Sequence, residues 1–177
     1  MPTMPQRPLD PNLIAGEKHL DAAEWSDAEA ALRRAIDVNP QSAVAYSKLG
    51  VALVHQRRLD DAERAFAKAV AIDPGYAPAW SNLGNVYRET GRTEDALQAY
   101  ERAVAADPDY WIAHQNLGGL YKQMGRTGEA IAALKKATRL SVKAPIRRPG
   151  EAGPRGCLGR SAMLVVLIGA GVAALIL

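Results

Sequence analysis

Between Ala77 and Pro108 the apolar and polar positions fall into two short helical rhythms. Trp80, Leu83, Gly84 and Tyr87 come first, a polar break RETGR follows, and Ala96, Tyr100 and Ala103 resume the spacing before Pro108 closes the stretch. Side chains three and four residues apart share one helix face, so the stretch predicts two amphipathic helices joined by a tight turn. Gly84 and Ala96 are small enough to let the two helices approach closely, with Tyr100 filling the space between units. The same rhythm recurs every 34 residues. Gly16, Gly50, Gly84 and Gly118 keep that spacing; so do Ala28, Ala62, Ala96 and Ala130, and Ala35, Ala69, Ala103 and Ala137. Pro40, Pro74 and Pro108 close three units, and Val142 stands where a fourth proline would be. A helix of about 13 residues is marginal alone in water. One such pair cannot bury its apolar face, whereas stacked pairs can.

The large, small and proline positions of the third unit resemble those of the tetratricopeptide repeat family, over roughly residues 9–144. The resemblance implies an all-α chain, a right-handed superhelix of four helix-turn-helix units at 9–42, 43–76, 77–110 and 111–144. The first unit departs from it, with Asn12, Ala15 and His19 at the aromatic, leucine and tyrosine positions. Inward positions are expected at Tyr46, Leu49, Phe66 and Val70 in the second unit and at Leu117, Tyr121, Ile131 and Leu134 in the fourth. Asp10 before Pro11 reads as a helix start. Ser26 with Glu29, Asp60 with Glu63, and Thr93 read as starts of the second helices. Gly91 and Gly125 read as turn residues.

The net charge of +3 would suggest nucleic acid if it were spread over the repeats. Five cations between Lys143 and Arg160 face only Glu151 there, which leaves the remainder at −1. The basic character belongs to a short segment, so no nucleic-acid partner is expected. Residues 1–8 carry three prolines and read as a disordered lead, with no apolar signal region. Residues 145–160, rich in proline, glycine and arginine, read as a flexible linker. Residues 161–177, SAMLVVLIGAGVAALIL, carry no charge. As a helix they would reach roughly 25 Å, at the short end for a bilayer core of about 30 Å. They are expected to form a single C-terminal transmembrane helix, extended by snorkelling of Arg160. The arginines on its N-terminal side place the repeats on the cytoplasmic face. Arginine outnumbers lysine 15 to 7, as in GC-rich bacterial genomes, so the expected location is a bacterial inner membrane.

In this family the first helices line the concave face. Carried over position by position, the resemblance puts Lys48 and His55 of the second unit, Asn82, Asn85 and Arg88 of the third, and Asn116 and Lys122 of the fourth in a peptide-binding groove. An asparagine amide both donates and accepts, so Asn82 and Asn116, one repeat apart, suit an extended peptide backbone. Lys48, Arg88, Lys122 and His55 can converge on a carboxylate. That resembles the clamp of chaperone-binding members, although Ser47 and Val51 occupy two of its positions; a merely solvated, mildly basic groove is the other reading. Nothing catalytic is expected: His19, His55 and His114 lack zinc-ligand spacing, there is no phosphate loop, and the single cysteine, Cys157, lies in the linker. No metal and no cofactor is expected. The chain reads as a non-catalytic adaptor that binds a protein or extended peptide at the cytoplasmic face of a membrane. A self-assembling membrane scaffold, hence a homo-oligomer, and an accessory subunit of an enzyme complex are the alternatives.

Overall fold

The computed structural model describes residues 10–143. The lead at 1–8, the linker at 145–160, Cys157 and the apolar stretch 161–177 lie outside the described residues. The chain divides into two units, Met1–Ile146 and Arg147–Leu177, and the described residues all belong to the first.

Eight helices follow in order: α1 (Pro11–Asp21), α2 (Trp25–Val38), α3 (Ala43–His55), α4 (Leu59–Ile72), α5 (Ala77–Glu89), α6 (Thr93–Ala106), α7 (Trp111–Gln123) and α8 (Thr127–Lys143). They pack as antiparallel pairs, α1 with α2 through α7 with α8, and each pair packs on the next. The first helices also touch one another in series, α1 to α3 to α5 to α7.

The glycine register explains the pairing. A Cβ on Gly84 would stand 2.6 Å from Cε1 and 2.7 Å from Cδ1 of Tyr100. Hydrogen in place of a methyl therefore lets the ring lie flat across α5. Gly16 meets Leu32, Gly50 meets Phe66 and Gly118 meets Leu134 in the same way. In three units the large side chain is sealed, Tyr100 at 0% exposure, because the next first helix covers it. In the fourth it is not: Leu134 packs on Gly118 yet stays 38% exposed, and Ile131, at 51%, is not the inward position that periodicity predicts. No further helix covers α8 among the described residues.

Ala23, Arg57, Gly91 and Gly125, again 34 apart, hold φ of 60°, 62°, 79° and 74°. Each reverses the chain from first to second helix; at the third turn Arg92 N donates to Tyr87 O at 2.8 Å, closing the end of α5. The turn decides where the second helices start. They begin at Trp25, Leu59 and Thr93, with Glu24, Arg58 and Arg92 at the cap position and no side-chain cap bond. Ser26, Asp60 and Thr93 are thus inside their helices and do not cap them. Asp10 does cap α1, accepting from Asn12 N at 2.8 Å, with Pro11 at the first helical position.

Units are joined by an Asx turn. Asp73 Oδ1 accepts from Gly75 N, and Asp107 Oδ1 from Asp109 N, both at 2.9 Å, with Pro74 and Pro108 between. The fourth unit has Ser141 and Val142 instead, and α8 runs to 17 residues where α2, α4 and α6 have 14.

The all-α helix-turn-helix repeat is the arrangement from which the expected superhelix is built. The transmembrane helix that accompanied it is corrected. Among the described residues no helix is long and apolar enough to cross a membrane. The longest, α8, carries Glu129, Lys135, Lys136, Arg139 and Lys143. The membrane partner, the single-pass placement and the cytoplasmic-face location are not supported by the described helices.

Candidate functional site

The series contact of α1, α3, α5 and α7 makes one face from the first helices, and the predicted site residues fall on it with very different surroundings. Lys48 is buried, with Nζ 3.0 Å from Glu17 Oε1 of α1. It ties α3 to α1, so its charge is engaged within the fold. His55 stacks on Trp25, ring centroids 3.9 Å apart and planes 5° from parallel. Desolvation holds its imidazole below the ordinary value, which leaves it neutral at pH 7. Neither residue is a free cation for a carboxylate, and the four-way convergence of Lys48, His55, Arg88 and Lys122 is not formed.

The α5–α7 half of the face is different. Asn116 Nδ2 donates to Ser81 Oγ at 3.0 Å, linking α7 to α5. Asn85 Oδ1 accepts from Tyr100 Oη at 2.7 Å. Burial pushes the Tyr100 phenol up to about 12, while Arg88 nearby pulls it down, so the hydroxyl stays a neutral donor. Asn82 is 6% exposed and its Nδ2 is buried without a hydrogen-bond partner. An unmade bond of that kind costs about 1–3 kcal/mol. Arg88 and Lys122 are exposed; Arg88 Nη1 lies 4.0 Å from where a Cβ on Gly119 would be, so its head reaches across to α7. The structure therefore links α5 to α7 through Asn116 and Ser81 and by the reach of Arg88 toward Gly119, holds Asn85 of α5 on Tyr100 of α6, keeps Asn82 buried in α5 and Lys122 exposed on α7, and places Lys48 and His55 apart, against the first unit.

A set of ion pairs that the apolar pattern does not announce ties the turns and units together. Arg58, Arg92 and Arg126 open the second helices at 34-residue spacing and bond the acid three residues on: Arg92 Nε to Asp95 Oδ2 at 2.7 Å, Arg126 Nε to Glu129 Oε2 at 2.5 Å. Two also reach back one unit. Arg58 Nη1 lies 2.9 Å from Glu29 Oε1, and Arg92 Nη1 2.9 Å from Glu63 Oε1. Arg92 further lies over the Tyr87 ring at 4.2 Å and Arg126 over Tyr121 at 4.6 Å. The period itself carried this signal, in the Arg58–Asp61 and Arg92–Asp95 spacings. Burial works to raise the Glu29 carboxyl, but hydrogen bonds from Gln56 and Arg58 and the charges of Arg33 and Arg58 outweigh it, and the group titrates below its ordinary range.

His19, Glu24 and Asp27 offer ligand atoms within 4.8 Å of one another at the exposed first turn. His19 Nδ1 already meets Glu24 Oε2 at 2.6 Å, and the trio is not a built metal site. His114 is buried with Nε2 2.9 Å from Pro108 O, the bond that Trp80 Nε1 makes to Pro74 O one unit earlier; it is an anchor for a helix start.

A family model described as tetratricopeptide repeat matches residues 41–109 and again 76–141. A crystal structure of MamA is similar at 31% identity and a TM-score of 0.66, over 75% of this chain and 77% of that one. A structure titled as the functional characterization of Pseudomonas aeruginosa pilF is similar at 27% identity and 0.69, over 75% of this chain and 61% of that one. MamA from Desulfovibrio magneticus, at 22% and 0.64 over 75% of each chain, shares the fold. No curated protein matches the chain.

Proposed function

This chain belongs to the tetratricopeptide repeat family, whose fold is typical of non-catalytic scaffolds, and from that premise we propose that it is a protein-interaction module capturing an extended peptide on the α5–α7 face. The chain is not an enzyme. The repeat units we assign are 9–42, 43–76, 77–110 and 111–144. The observation that carries the reading is the set of amides on α5 and α7, of which Asn116 spans the two helices. Asn82 holds a buried donor with nothing to bond, and the Asn85 and Asn116 amides lie a turn and a repeat away. A peptide lying along this face can exchange backbone hydrogen bonds with the half-buried Asn85 and Asn116 amides, and with Asn82 once its side chain turns outward, without sequence preference. Arg88 and Lys122 beside them favour a peptide with an acidic group or a terminal carboxylate.

Panning a random peptide library against the full chain tests this. The selected peptides are expected to bind the Asn82→Leu, Asn116→Leu double variant at least tenfold more weakly, with helix content unchanged by circular dichroism. Equal binding by the variant would remove the α5–α7 amides from the proposal.

A further inference from the structure

The outer face of α8 differs from that of every other second helix, at consecutive positions of one stripe. Its line of Ile131, Leu134, Thr138 and Val142 forms an open, largely apolar surface along α8. Ile131 is 51% and Val142 80% exposed. Along its edge run Lys135, Arg139 and Lys143, four residues apart and so on one helix face. The corresponding residues are Arg33, Asp37 and Gln41 in the first unit, Ala67, Ala71 and Gly75 in the second, and Glu101, Ala105 and Asp109 in the third. Only the fourth unit carries an all-basic edge. None of the three cations has an ion-pair partner among the described residues, whereas Arg58, Arg92 and Arg126 all do. Loss of the Asx-proline stop lets α8 run on far enough to add Val142 and Lys143 to the stripe.

The fold itself shows what such a stripe accepts. On α2, α4 and α6 the same face is covered by one helix, the first of the next unit. We propose that the α8 face docks an amphipathic helix of a partner protein, apolar along one stripe and acidic along its edge. Helices recognised in this way present anchors at i, i+3, i+4 and i+7. The basic edge selects the partner's charge and argues against a second α8, which would set Lys135, Arg139 and Lys143 against their own copies. This surface is separate from the α5–α7 face, and the two readings stand or fall independently.

The probe is a synthetic amphipathic peptide of about 20 residues with leucine anchors and glutamates along one edge, paired with a copy carrying lysine in their place. Binding to the full-length chain is read by fluorescence anisotropy. The glutamate peptide is expected to bind at least tenfold more tightly than the lysine peptide. The exposed Arg139→Glu, Lys143→Glu double variant should reverse that preference, while Asn82→Leu, Asn116→Leu leaves it unchanged. Equal binding of both peptides, or none, overturns the proposal. A photoreactive p-benzoyl-phenylalanine at position 142 adds a direct readout: crosslinks to the glutamate peptide support it. Crosslinks in its presence to residues 161–177 of the same chain, or to a second copy, assign the face to those occupants instead and overturn it.

Discussion

Replacing Gly84 by alanine tests the packing argument most sharply, because two effects of opposite sign meet at one atom. Alanine is the better helix residue by about 1 kcal/mol, which taken alone would stabilise α5. The added Cβ, however, would lie 2.6, 2.7 and 3.1 Å from Cε1, Cδ1 and Cζ of Tyr100. Tyr100 is fully buried and its hydroxyl is fixed on Asn85, so the ring cannot swing aside without breaking that bond. Overpacking of this kind costs about 1–3 kcal/mol, and a lost hydrogen bond about 1 kcal/mol more. The sum is a net destabilisation of about 1–3 kcal/mol. Gly119→Ala is the internal control: it too sits inside a helix, but nothing lies closer than Arg88 Nη1 at 4.0 Å, so the propensity gain of about 1 kcal/mol should survive. Urea unfolding followed by circular dichroism reads both, with unchanged slopes as the check that each transition remains comparable. Opposite signs are expected for the two glycines. If Gly84→Ala proved as stabilising as Gly119→Ala, the close approach of α5 to the Tyr100 ring would be wrong.

Other consequences are open to the same kind of measurement. Ala23→Gly and Arg57→Gly should each raise stability by about 0.5–1 kcal/mol, since both residues hold a left-handed turn that Gly91 and Gly125 occupy without a side chain; loss of stability would refute the turn assignment. Asn82→Leu should leave stability unchanged or higher in thermal unfolding, because an unbonded buried donor is replaced by an apolar group of similar size, even as peptide capture falls; a large loss would mean that the amide is bonded in the fold. The Glu29 carboxyl is depressed in the folded chain, so its contribution to stability is complete above its ordinary range near 4.5 and lost as pH falls through the lower folded value. Glu29→Gln should therefore lower stability at neutral pH and flatten its decline below about pH 4.5; an unchanged acid limb in denaturant titrations would contradict the assignment.

Much of the fold was readable because it is periodic. The four glycines and eight alanines mark where helices touch, and small residues at touching points leave little freedom in how the pairs pack. Start positions were less readable. Ser26, Asp60 and Thr93 look like caps locally, but left-handed residues at 23, 57 and 91 set the helix starts ahead of them, and two of those residues are not glycine. In the site, Asn82 and Asn116 occupy equivalent places on α5 and α7 because they share the repeat register, with Asn85 one turn beyond Asn82. Lys48 did not join Arg88 and Lys122 because its partner, Glu17, belongs to another unit, and no local pattern announces a contact across 31 residues. His55 was removed by Trp25, again from the first unit, where the repeat pattern is weakest. The arginine ladder is present in the 34-residue spacing of Arg58, Arg92 and Arg126, but apolar periodicity alone does not reveal it. The transmembrane expectation drew on hydropathy at 161–177 alone, outside the helices that the structure describes.

The central claim is that the first helices, α5 and α7 above all, form the surface on which a peptide is held. Side-chain amide NMR spectra of the full chain, recorded with and without a library-selected peptide, address it at the atoms concerned. The resonances of Asn82, Asn85 and Asn116 are expected to shift together while those of Gln41 and Gln98, outside α5 and α7, stay in place. Shifts confined to those two, with the three asparagines unmoved, would contradict it.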